Sequence, residues 1–134
     1  MEDSAALASL MCELGYKTTA AQMKKRLESI LANSDYQTFV ATIDDKIFGM
    51  IGTFSQPSYE HDDRSGRILA LAVSKKLRRS GIGRALVTLA EQDFARRGIT
   101  RIALNTRLTR KDAHEFYRTL GYEKNGYRFL KQLA

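Results

Sequence analysis

The chain is poor in the residues that build covalent or metal-based structure. It has one cysteine, Cys12, so no disulfide can form within it and a reducing compartment is expected. Its two histidines, His61 and His114, are far apart in sequence, and without a second cysteine we expect no metal site. No apolar run is long enough to span a membrane, and no secretory signal opens the chain. The sequence therefore predicts a cytoplasmic protein with no membrane contact and no metal.

Acidic residues are also scarce relative to basic ones. The chain has 15 aspartates and glutamates against 22 lysines and arginines, which gives a net charge of +7. This excess favours an anionic ligand, and a phosphate-bearing small molecule or a nucleic acid would both qualify. No recognised nucleic-acid-binding motif occurs in the sequence. The net charge alone leaves both classes of partner open.

The order of the hydrophobic patterns predicts a mixed α/β domain around one sheet. Its length of 134 residues, without repeats or linkers, indicates a single domain over 1–134. The predicted elements are, in chain order, a helix over 4–14 that ends at Gly15, a helix from Thr19 with a Thr19–Gln22 capping box, strands over 36–43 and 47–54, a polar interval over 56–65, a strand over 68–73, a helix from Ile82 that Gly98 closes, a strand over 101–105, a helix from Thr109 to Gly121, and a last strand or strand pair from Tyr122 through 127–133.

Two of these helices carry an apolar stripe that is expected to be buried. The stripe of the second helix consists of Met23, Leu27, Ile30 and Leu31. The stripe of the third helix consists of Ile82, Leu86, Leu89, Ala90 and Phe94. Gly49 and Gly52 lie inside a predicted strand, where they indicate a bulge or a close backbone neighbour.

A basic turn with two glycines joins the strand over 68–73 to the helix from Ile82. Gly81 and Gly83 let a ligand approach the main chain, and the start of a helix directs unpaired N–H groups at an anion. Five cations lie in or next to this turn: Lys75, Lys76, Arg78, Arg79 and Arg84. We interpret the turn as a diphosphate-binding site.

Two common phosphate-binding motifs do not fit this turn. Arg84 and Ala85 stand where a P-loop needs a lysine and a hydroxyl residue. Leu86 stands where a dinucleotide fingerprint needs a small residue. The pattern that does fit is Arg78-x-x-Gly81-x-Gly83, placed after an apolar strand that ends in Ala72-Val73. It resembles the acetyl-coenzyme A signature of the GNAT superfamily of N-acetyltransferases.

A second pattern supports the same resemblance. Ala113-x-x-x-Tyr117-x-x-x-Gly121-Tyr122 is similar to the other GNAT signature, whose tyrosine lies beside the thioester sulfur. Residues 112–133 look most like the aminoalkylphosphonate acetyltransferases and similar small-amine enzymes. The resemblance implies the acyl-CoA N-acyltransferase fold, which is a mixed α/β fold with a central, mostly antiparallel sheet flanked by helices. It also implies acetyl transfer from acetyl-CoA to a primary amine, directly and within a ternary complex, without a metal.

The resemblance assigns roles to particular residues. The cofactor-binding residues that it implies are Leu71, Ala72, Val73, Arg78, Arg79, Ser80, Gly81, Ile82, Gly83, Arg84, Ala85 and Asn105. It makes Tyr117 the general acid that protonates the leaving thiolate. The main chain of residues 69–73 could pair with the pantetheine arm as an added strand, if that strand splays from its neighbour.

The general base is the least defined part of the expected site. No carboxylate occurs between Arg67 and Val73, where related enzymes often carry a glutamate. The polar interval offers Glu60 and His61 as tentative bases, with Asp62 and Asp63 beside them, acting directly or through water. Deprotonation by water without a dominant residue stays open as the alternative.

The identity of the acceptor is not decided by the sequence. A small-molecule amine is expected, and a protein N-terminus or a lysine side chain is the alternative within the same enzyme class. A basic nucleic-acid-binding module is the alternative from another class, although the cations cluster at a glycine turn. The fold that the resemblance implies normally begins with a strand before the helix over 4–14, so either this strand is missing or Met1 is not the natural start. An exposed sheet edge at that place would favour a homodimer.

Overall fold

The structure is a computed structural model that describes residues 3–77, 80–105 and 111–133. Three residues of the sequence-based predictions, Arg78, Arg79 and Thr109, lie outside the described residues. The chain divides into two compact units, Met1–Ala103 and Leu104–Ala134. The elements of the first unit are α1 (Ser4–Leu14), α2 (Ala20–Leu31), β1 (Tyr36–Ile43), β2 (Lys46–Gln56), β3 (Ser65–Val73), a 3₁₀ turn (Lys75–Leu77), α3 (Ile82–Arg96) and β4 (Ile102–Ala103).

The first unit is built on one mostly antiparallel sheet with the strand order β1-β2-β3-β4. β1 pairs with β2, and β2 pairs with β3, both in antiparallel register. β4 lies parallel to β3 and pairs with it only through Gly66 and Arg67. A mixed α/β fold with a mostly antiparallel sheet flanked by helices is therefore confirmed.

Helices cover the two faces of this sheet. On one face, α1 and α2 pack with Met50 and Ala72 into a single buried cluster. On the other face lies α3, because a Cβ atom added to Gly49 would come within 3.0 Å of Ile82 and 3.1 Å of Leu86. Consecutive strand residues point to opposite faces, so Gly49 and Met50 place the helices on opposite sides. α3 can approach the strands closely because Gly49 has no side chain.

Local sequence signals explain the first two helices and the hairpin. Gly15 ends α1 in the left-handed conformation, with a φ of 111°. The Thr19–Gln22 capping box at the start of α2 is confirmed, with both of its hydrogen bonds present. Asp44 and Asp45 connect β1 to β2 with φ values of 51° and 65°, which is the conformation that a tight two-residue hairpin turn requires.

The predicted irregularity of β2 is also confirmed. The β2–β3 register shifts between Gly52 and Thr53, so that Leu69 of β3 is an extra residue without a direct partner in β2. A second shift, between Ala41 and Thr42 of β1, leaves Phe48 as the extra residue of β2. The extra residue of β3 lies two residues after the end of its pairing with β4, and a bulge of this kind bends its strand.

Some predicted positions in the first unit were wrong. Leu31 is 59% exposed, because it is the last residue of α2 and the fully buried part of the stripe ends at Leu27. Leu89 is also exposed, since α3 buries the neighbouring stripe of Leu86, Val87 and Ala90 instead. The strand predicted over 101–105 is shorter, because β4 comprises only Ile102–Ala103.

The second unit contains one helix, α4 (Lys111–Thr119), among the residues that the structure describes. Gly121 follows α4 with a φ of 93°, which confirms the predicted end of the helix. The strand or strand pair predicted from Tyr122 to residue 133 was wrong, because no residue from 122 to 133 belongs to a strand. Tyr127 and Phe129 are 81% and 94% exposed, so the alternating apolar residues have no strand or core to pack against.

Candidate functional site

The 74–85 turn comprises the turn after β3 and the first four residues of α3, and hydrogen bonds fix the backbone at its start. The N–H of Ser74 donates to the carbonyl of Phe48 at 2.7 Å, and the N–H of Lys75 donates to the carboxylate of Glu13 at 3.3 Å. The 3₁₀ turn Lys75–Leu77 follows, and the N–H of Ser80 donates to the carbonyl of Leu77 at 3.3 Å. Among the described residues, the turn is thus tied to both β2 and α1.

The start of α3 offers donors to an anion. Gly81 takes the N-cap position with a φ of 89°, and no side-chain hydrogen bond caps the helix. The N–H of Ala85 makes the first helical bond, to the carbonyl of Gly81 at 3.0 Å. The N–H groups of Ile82, Gly83 and Arg84 precede that bond and have no partner within the helix. Together with the helix dipole, they favour a negatively charged group at this point.

Three cations around the turn can be placed. The side chains of Lys75, Lys76 and Arg84 are exposed, as are Ser80 and Gly81. Arg78 and Arg79 belong to the same segment of the sequence but lie outside the described residues. The predicted residues Ser80, Gly81, Ile82, Gly83, Arg84 and Ala85 are therefore brought together at one end of β3.

The edge of β3 on the β4 side is open over most of its length. Pairing with β4 ends at Arg67, and from Ile68 to Ala72 this edge has no strand partner among the described residues. An edge of this kind presents backbone N–H and C=O groups to an extended ligand. Leu71, Ala72 and Val73 form the last part of β3 and lead directly into the 74–85 turn. The open edge and the uncapped helix thus form one continuous surface.

The tentative bases lie at the other end of β3. Glu60 and His61 belong to the 57–64 loop, which connects β2 to β3, and both are exposed. Their backbone N–H groups donate to the hydroxyl of Ser58 at 3.1 and 3.2 Å. β3 runs from Ser65 to Val73, which is about 26 Å at about 3.3 Å per residue. The loop and the 74–85 turn are consequently separated by the length of the strand.

Tyr117 and Asn105 belong to the second unit. The ring of Tyr117 lies on α4 and packs edge-on against Phe116 and Tyr122, with centroid distances of 5.1 and 5.8 Å. The carbonyl of Tyr117 accepts hydrogen bonds from the N–H groups of Leu120 and Tyr122, at 3.1 and 3.0 Å. These contacts fix the ring against the end of its own helix. Asn105 is exposed and follows β4.

Ion pairs at the base of the 57–64 loop were missed by the sequence reasoning. Arg64 contacts Asp35 at 2.9 Å, and Asp63 contacts Arg101 at 2.7 Å. The hydrogen bond from Arg101 is the main cause that holds the pKa of Asp63 below its ordinary value of 3.8. These partners are far apart in sequence, so only the fold brings them together, and no local signal indicates them.

A groove beside the 74–85 turn was also missed. It has a volume of about 480 Å³ and lies between α1, the β1–β2 hairpin and the start of the turn. Its lining includes Leu10, Glu13, Lys46, Phe48, Ser74 and Lys76. Charges of both signs line it, so its electrostatics do not select one class of ligand.

Within residues 3–77, 80–105 and 111–133, no group of three or more histidine, cysteine, aspartate or glutamate side chains could hold a metal ion. No helix there is both long enough and apolar enough to cross a membrane.

The chain is similar to known acetyltransferases. Residues 5–122 match the model of the acetyltransferase (GNAT) family. The chain is 29% identical over 133 residues to the aminoalkylphosphonate N-acetyltransferase of Salmonella typhimurium strain LT2, an alignment that covers 98% of this chain and 86% of that protein.

Two solved structures illustrate the likeness of fold. A GNAT family acetyltransferase of Staphylococcus aureus is 30% identical with a TM-score of 0.84, over 98% of this chain and 93% of that one. The aminoglycoside acetyltransferase meta-AAC0020, from an uncultured soil metagenomic sample, is 25% identical with a TM-score of 0.76, over 82% of this chain and 74% of that one.

Proposed function

Because the chain belongs to the GNAT family of acetyltransferases and is an N-acetyltransferase, we propose that it transfers the acetyl group of acetyl-CoA to the primary amine of a small molecule. Transfer is direct, within a ternary complex of enzyme, acetyl-CoA and amine. The observation that carries the proposal is the continuity between the open edge of β3 and the uncapped start of α3.

The binding of acetyl-CoA follows from that surface. The diphosphate accepts hydrogen bonds from the N–H groups at the start of α3, with Lys75, Lys76 and Arg84 as nearby cations. The pantetheine arm is an extended chain with two amides, and it pairs with the edge of β3 between Val73 and Ile68. Leu71 and Ala72 contribute backbone groups to this pairing, so their side chains stay with the protein core.

The chemistry then needs three proton movements. The neutral amine attacks the thioester carbonyl, a C–N bond forms, and the C–S bond breaks. Tyr117 gives its proton to the leaving thiolate as general acid, and the proton that the attacking nitrogen loses as it becomes an amide restores the Tyr117 hydroxyl. The proton of the acceptor ammonium leaves through Glu60 or His61, or through water, because β3 contributes no carboxylate between Arg67 and Val73.

The acceptor is proposed by analogy with relatives. One relative is named for aminoalkylphosphonates and one structural neighbour for aminoglycosides, and both of these are small-molecule amines. A protein N-terminus or a lysine side chain is the alternative acceptor. An acetyl-CoA assay with a free-thiol readout compares 2-aminoethylphosphonate, kanamycin, spermidine and a lysine-containing peptide. Turnover of at least one small amine is expected, whereas turnover of the peptide alone would favour the alternative.

A charge-reversal variant tests the diphosphate site. Gly83→Asp places a carboxylate among the N–H groups that are proposed to contact the diphosphate. We expect a loss of coenzyme A affinity of at least about tenfold, because the added charge repels the phosphates. Calorimetry with coenzyme A measures the affinity, and circular dichroism checks the fold.

The matched control for this variant is Thr88→Asp, which adds the same charge to an exposed position farther along α3. Its coenzyme A affinity is expected to stay close to that of the wild type. An unchanged affinity in a folded Gly83→Asp protein would refute the proposed diphosphate site.

A further inference from the structure

We propose that Asp63 and Arg64 are positioning residues, which hold the 57–64 loop in place as the element that recognises the acceptor amine. This inference rests on the proposed function and adds to it. It concerns the end of β3 that lies opposite the 74–85 turn.

Arg64 connects the end of the loop to two strands. Its Nη2 atom donates to Asp35 Oδ1 at 2.9 Å and to the carbonyl of Ser55 at 3.0 Å. Ser55 is only 2% exposed, and its hydroxyl lies 3.4 Å from Arg64 and 3.4 Å from Arg97. One guanidinium therefore ties the loop to the segment before β1 and to the buried end of β2.

The Ser55 contact is itself supported from α3. Arg97 pairs with Asp93 at 2.8 Å and lies over the ring of Phe94, with a distance of 5.2 Å to the centroid. Phe94 is fully buried. Ser55, which accepts hydrogen bonds from Arg64, is thus connected to α3 through Arg97.

Asp63 connects the loop to the segment that leads into β4. Its Oδ1 atom accepts a hydrogen bond from Arg101 at 2.7 Å, and its Oδ2 atom accepts one from the hydroxyl of Thr100 at 3.4 Å. Two neighbouring loop residues therefore reach different elements in different directions. Such a pair of contacts fixes both the position and the orientation of the loop.

The centre of the loop does not take part in these contacts. Tyr59 is fully exposed, and Glu60, His61 and Asp62 are exposed as well. In the described residues, no ion pair or side-chain hydrogen bond involves these four side chains. These side chains add nothing to the hydrophobic core. The contacts of Asp63 and Arg64 hold the loop in a position that exposes them. Loops that a rigid scaffold holds in this way commonly carry binding residues.

The geometry of the reaction places the acceptor at this end. The diphosphate is proposed to lie at the 74–85 turn, and the pantetheine arm extends from there along β3 toward its first residues. The acetyl group is at the tip of that arm, near Ile68, where the open edge of β3 ends, so it lies nearer to the 57–64 loop than the diphosphate does. The loop leads into Ser65, the first residue of β3.

The residues of the two ion pairs are partly exposed, and their exposure determines which properties should change when a pair is removed. Side-chain exposures are 42% and 46% for Arg64 and Asp35, and 40% and 38% for Arg101 and Asp63. Exposed pairs of this kind contribute little to global stability. Their loss should raise the KM for the acceptor while the affinity for coenzyme A and the melting temperature change little.

The experiment compares Asp63→Asn, Arg64→Met and the conservative Arg64→Lys with the wild type. Acetyl transfer is measured with the best small amine among 2-aminoethylphosphonate, kanamycin and spermidine. We expect the acceptor KM to rise about three- to tenfold in Asp63→Asn and Arg64→Met. Arg64→Lys should recover part of the loss, because an ammonium keeps the charge but cannot reproduce the two-sided contact of the guanidinium. The Kd of coenzyme A should stay within about twofold in all three.

The control is Arg96→Met, which removes an exposed ion pair with Asp93 that does not involve the loop. It should leave the acceptor KM unchanged. Hydrogen–deuterium exchange provides a second readout: exchange of the 57–64 loop should increase in Arg64→Met, while exchange of α3 should not.

The outcomes separate the two proposals. If the wild type acetylates a small amine and the loop variants keep its KM, the positioning role is refuted and the proposed function stands. If the variants lose acceptor and coenzyme A binding together, the residues act through the fold and the inference is again refuted. If the wild type acetylates none of the small amines, the proposed function fails and this inference fails with it.

Discussion

Tyr117 combines a fixed ring with an ionisable hydroxyl. Phe116 and Tyr122 contact its ring from within the second unit, so removal of the hydroxyl leaves the ring packing intact. Phenylalanine at this position therefore tests the chemistry of the hydroxyl separately from the packing of the side chain.

Tyr117→Phe is predicted to lower kcat about 10²–10⁴-fold, the range typical of a positioned general acid. The affinity for coenzyme A should stay the same, because the hydroxyl is proposed to act only as the thiolate leaves. Steady-state kinetics and calorimetry measure the two quantities. Tyr127→Phe serves as the control, since Tyr127 is 81% exposed. A loss below about threefold, with chemistry shown to be rate-limiting, would leave Tyr117 with a packing role only.

Asp63 provides a pH-dependent contact. The hydrogen bond from Arg101 lowers the pKa of Asp63 below 3.8, so the folded protein binds this proton less readily than the unfolded chain does. The contribution of the pair to stability is therefore complete above about pH 4, near the ordinary pKa of the carboxyl, and it is lost as the pH falls through the lowered pKa.

This predicts how Asp63→Asn will behave on acidification. The variant should melt only slightly below the wild type at neutral pH, because the pair is partly exposed, and this small difference should shrink as the pH falls below about 4. Differential scanning calorimetry across pH measures it. Asp62→Asn is the matched control, because Asp62 has no ion pair among the described residues and should show no comparable trend. A difference for Asp63→Asn that is constant with pH would contradict the role of the Arg101 contact.

β3 and α3 touch without an intervening side chain at Gly66. A Cβ atom there would lie 2.8 Å from Cε1 of Phe94, whose ring is fully buried. Gly66 also donates its N–H to the carbonyl of Arg101 at 2.9 Å, so the strand cannot easily move away. Any added methyl group has to displace either the ring or the strand.

Gly66→Ala is accordingly predicted to destabilise the protein by about 1–3 kcal/mol, the usual cost of overpacking a core. The free energy of unfolding in urea measures the effect. Gly126→Ala is the control, because a Cβ atom at Gly126 would meet no atom within 4 Å. Equal stability of the two variants would show that the β3–α3 contact can relax.

The elements that the sequence predicts well are those with local signals. Gly15 and Gly121 end helices through their left-handed backbone, and Thr19 with Gln22 begins one. The hairpin follows from two apolar runs around Asp44 and Asp45. Each of these signals depends only on neighbours in the chain, and the sequence therefore contains all of the relevant information.

The elements that it predicts poorly depend on distant partners. The tail over 127–133 alternates like a strand, yet strand formation needs a neighbour to pair with, and its residues are exposed. The contacts of Asp63 and Arg64 could not be predicted from the sequence for the same reason, since their partners are distant in the chain. In the proposed site, the spacing of Gly81 and Gly83 after an apolar strand predicted the main-chain arrangement of β3 and α3. Arg78 and Arg79, which belong to the same pattern, lie outside the described residues.

The distribution of charge bears on what the whole protein binds. The net charge of +7 is compatible with nucleic acid, but Lys75, Lys76 and Arg84 lie in the 74–85 turn, which is proposed to bind the diphosphate of coenzyme A. Homodimer formation and a single domain over 1–134 remain predictions. β1 lies at an edge of the described sheet and contains no charged residue, which is consistent with pairing to another strand.

If the basic residues serve coenzyme A, nucleic acid should bind only weakly. Anisotropy of labelled single-stranded and duplex DNA is predicted to give a non-specific Kd of about 10⁻⁴–10⁻⁶ M at physiological salt. Excess coenzyme A should displace the DNA. Tight binding that coenzyme A cannot displace would favour a nucleic-acid-binding role.

The bulge at Leu69 changes which residues of β3 face each side of the sheet. After it, Ala70 and Ala72 pack with the α1–α2 cluster, whereas before it Gly66 faces Phe94 of α3. All three residues have even numbers, so uninterrupted alternation would have placed them on one side. The inserted residue exchanges the two sides halfway along the strand. Even-numbered residues therefore face α3 in the half of β3 next to the 57–64 loop. In the half next to the 74–85 turn, even-numbered residues face α1 and α2 instead.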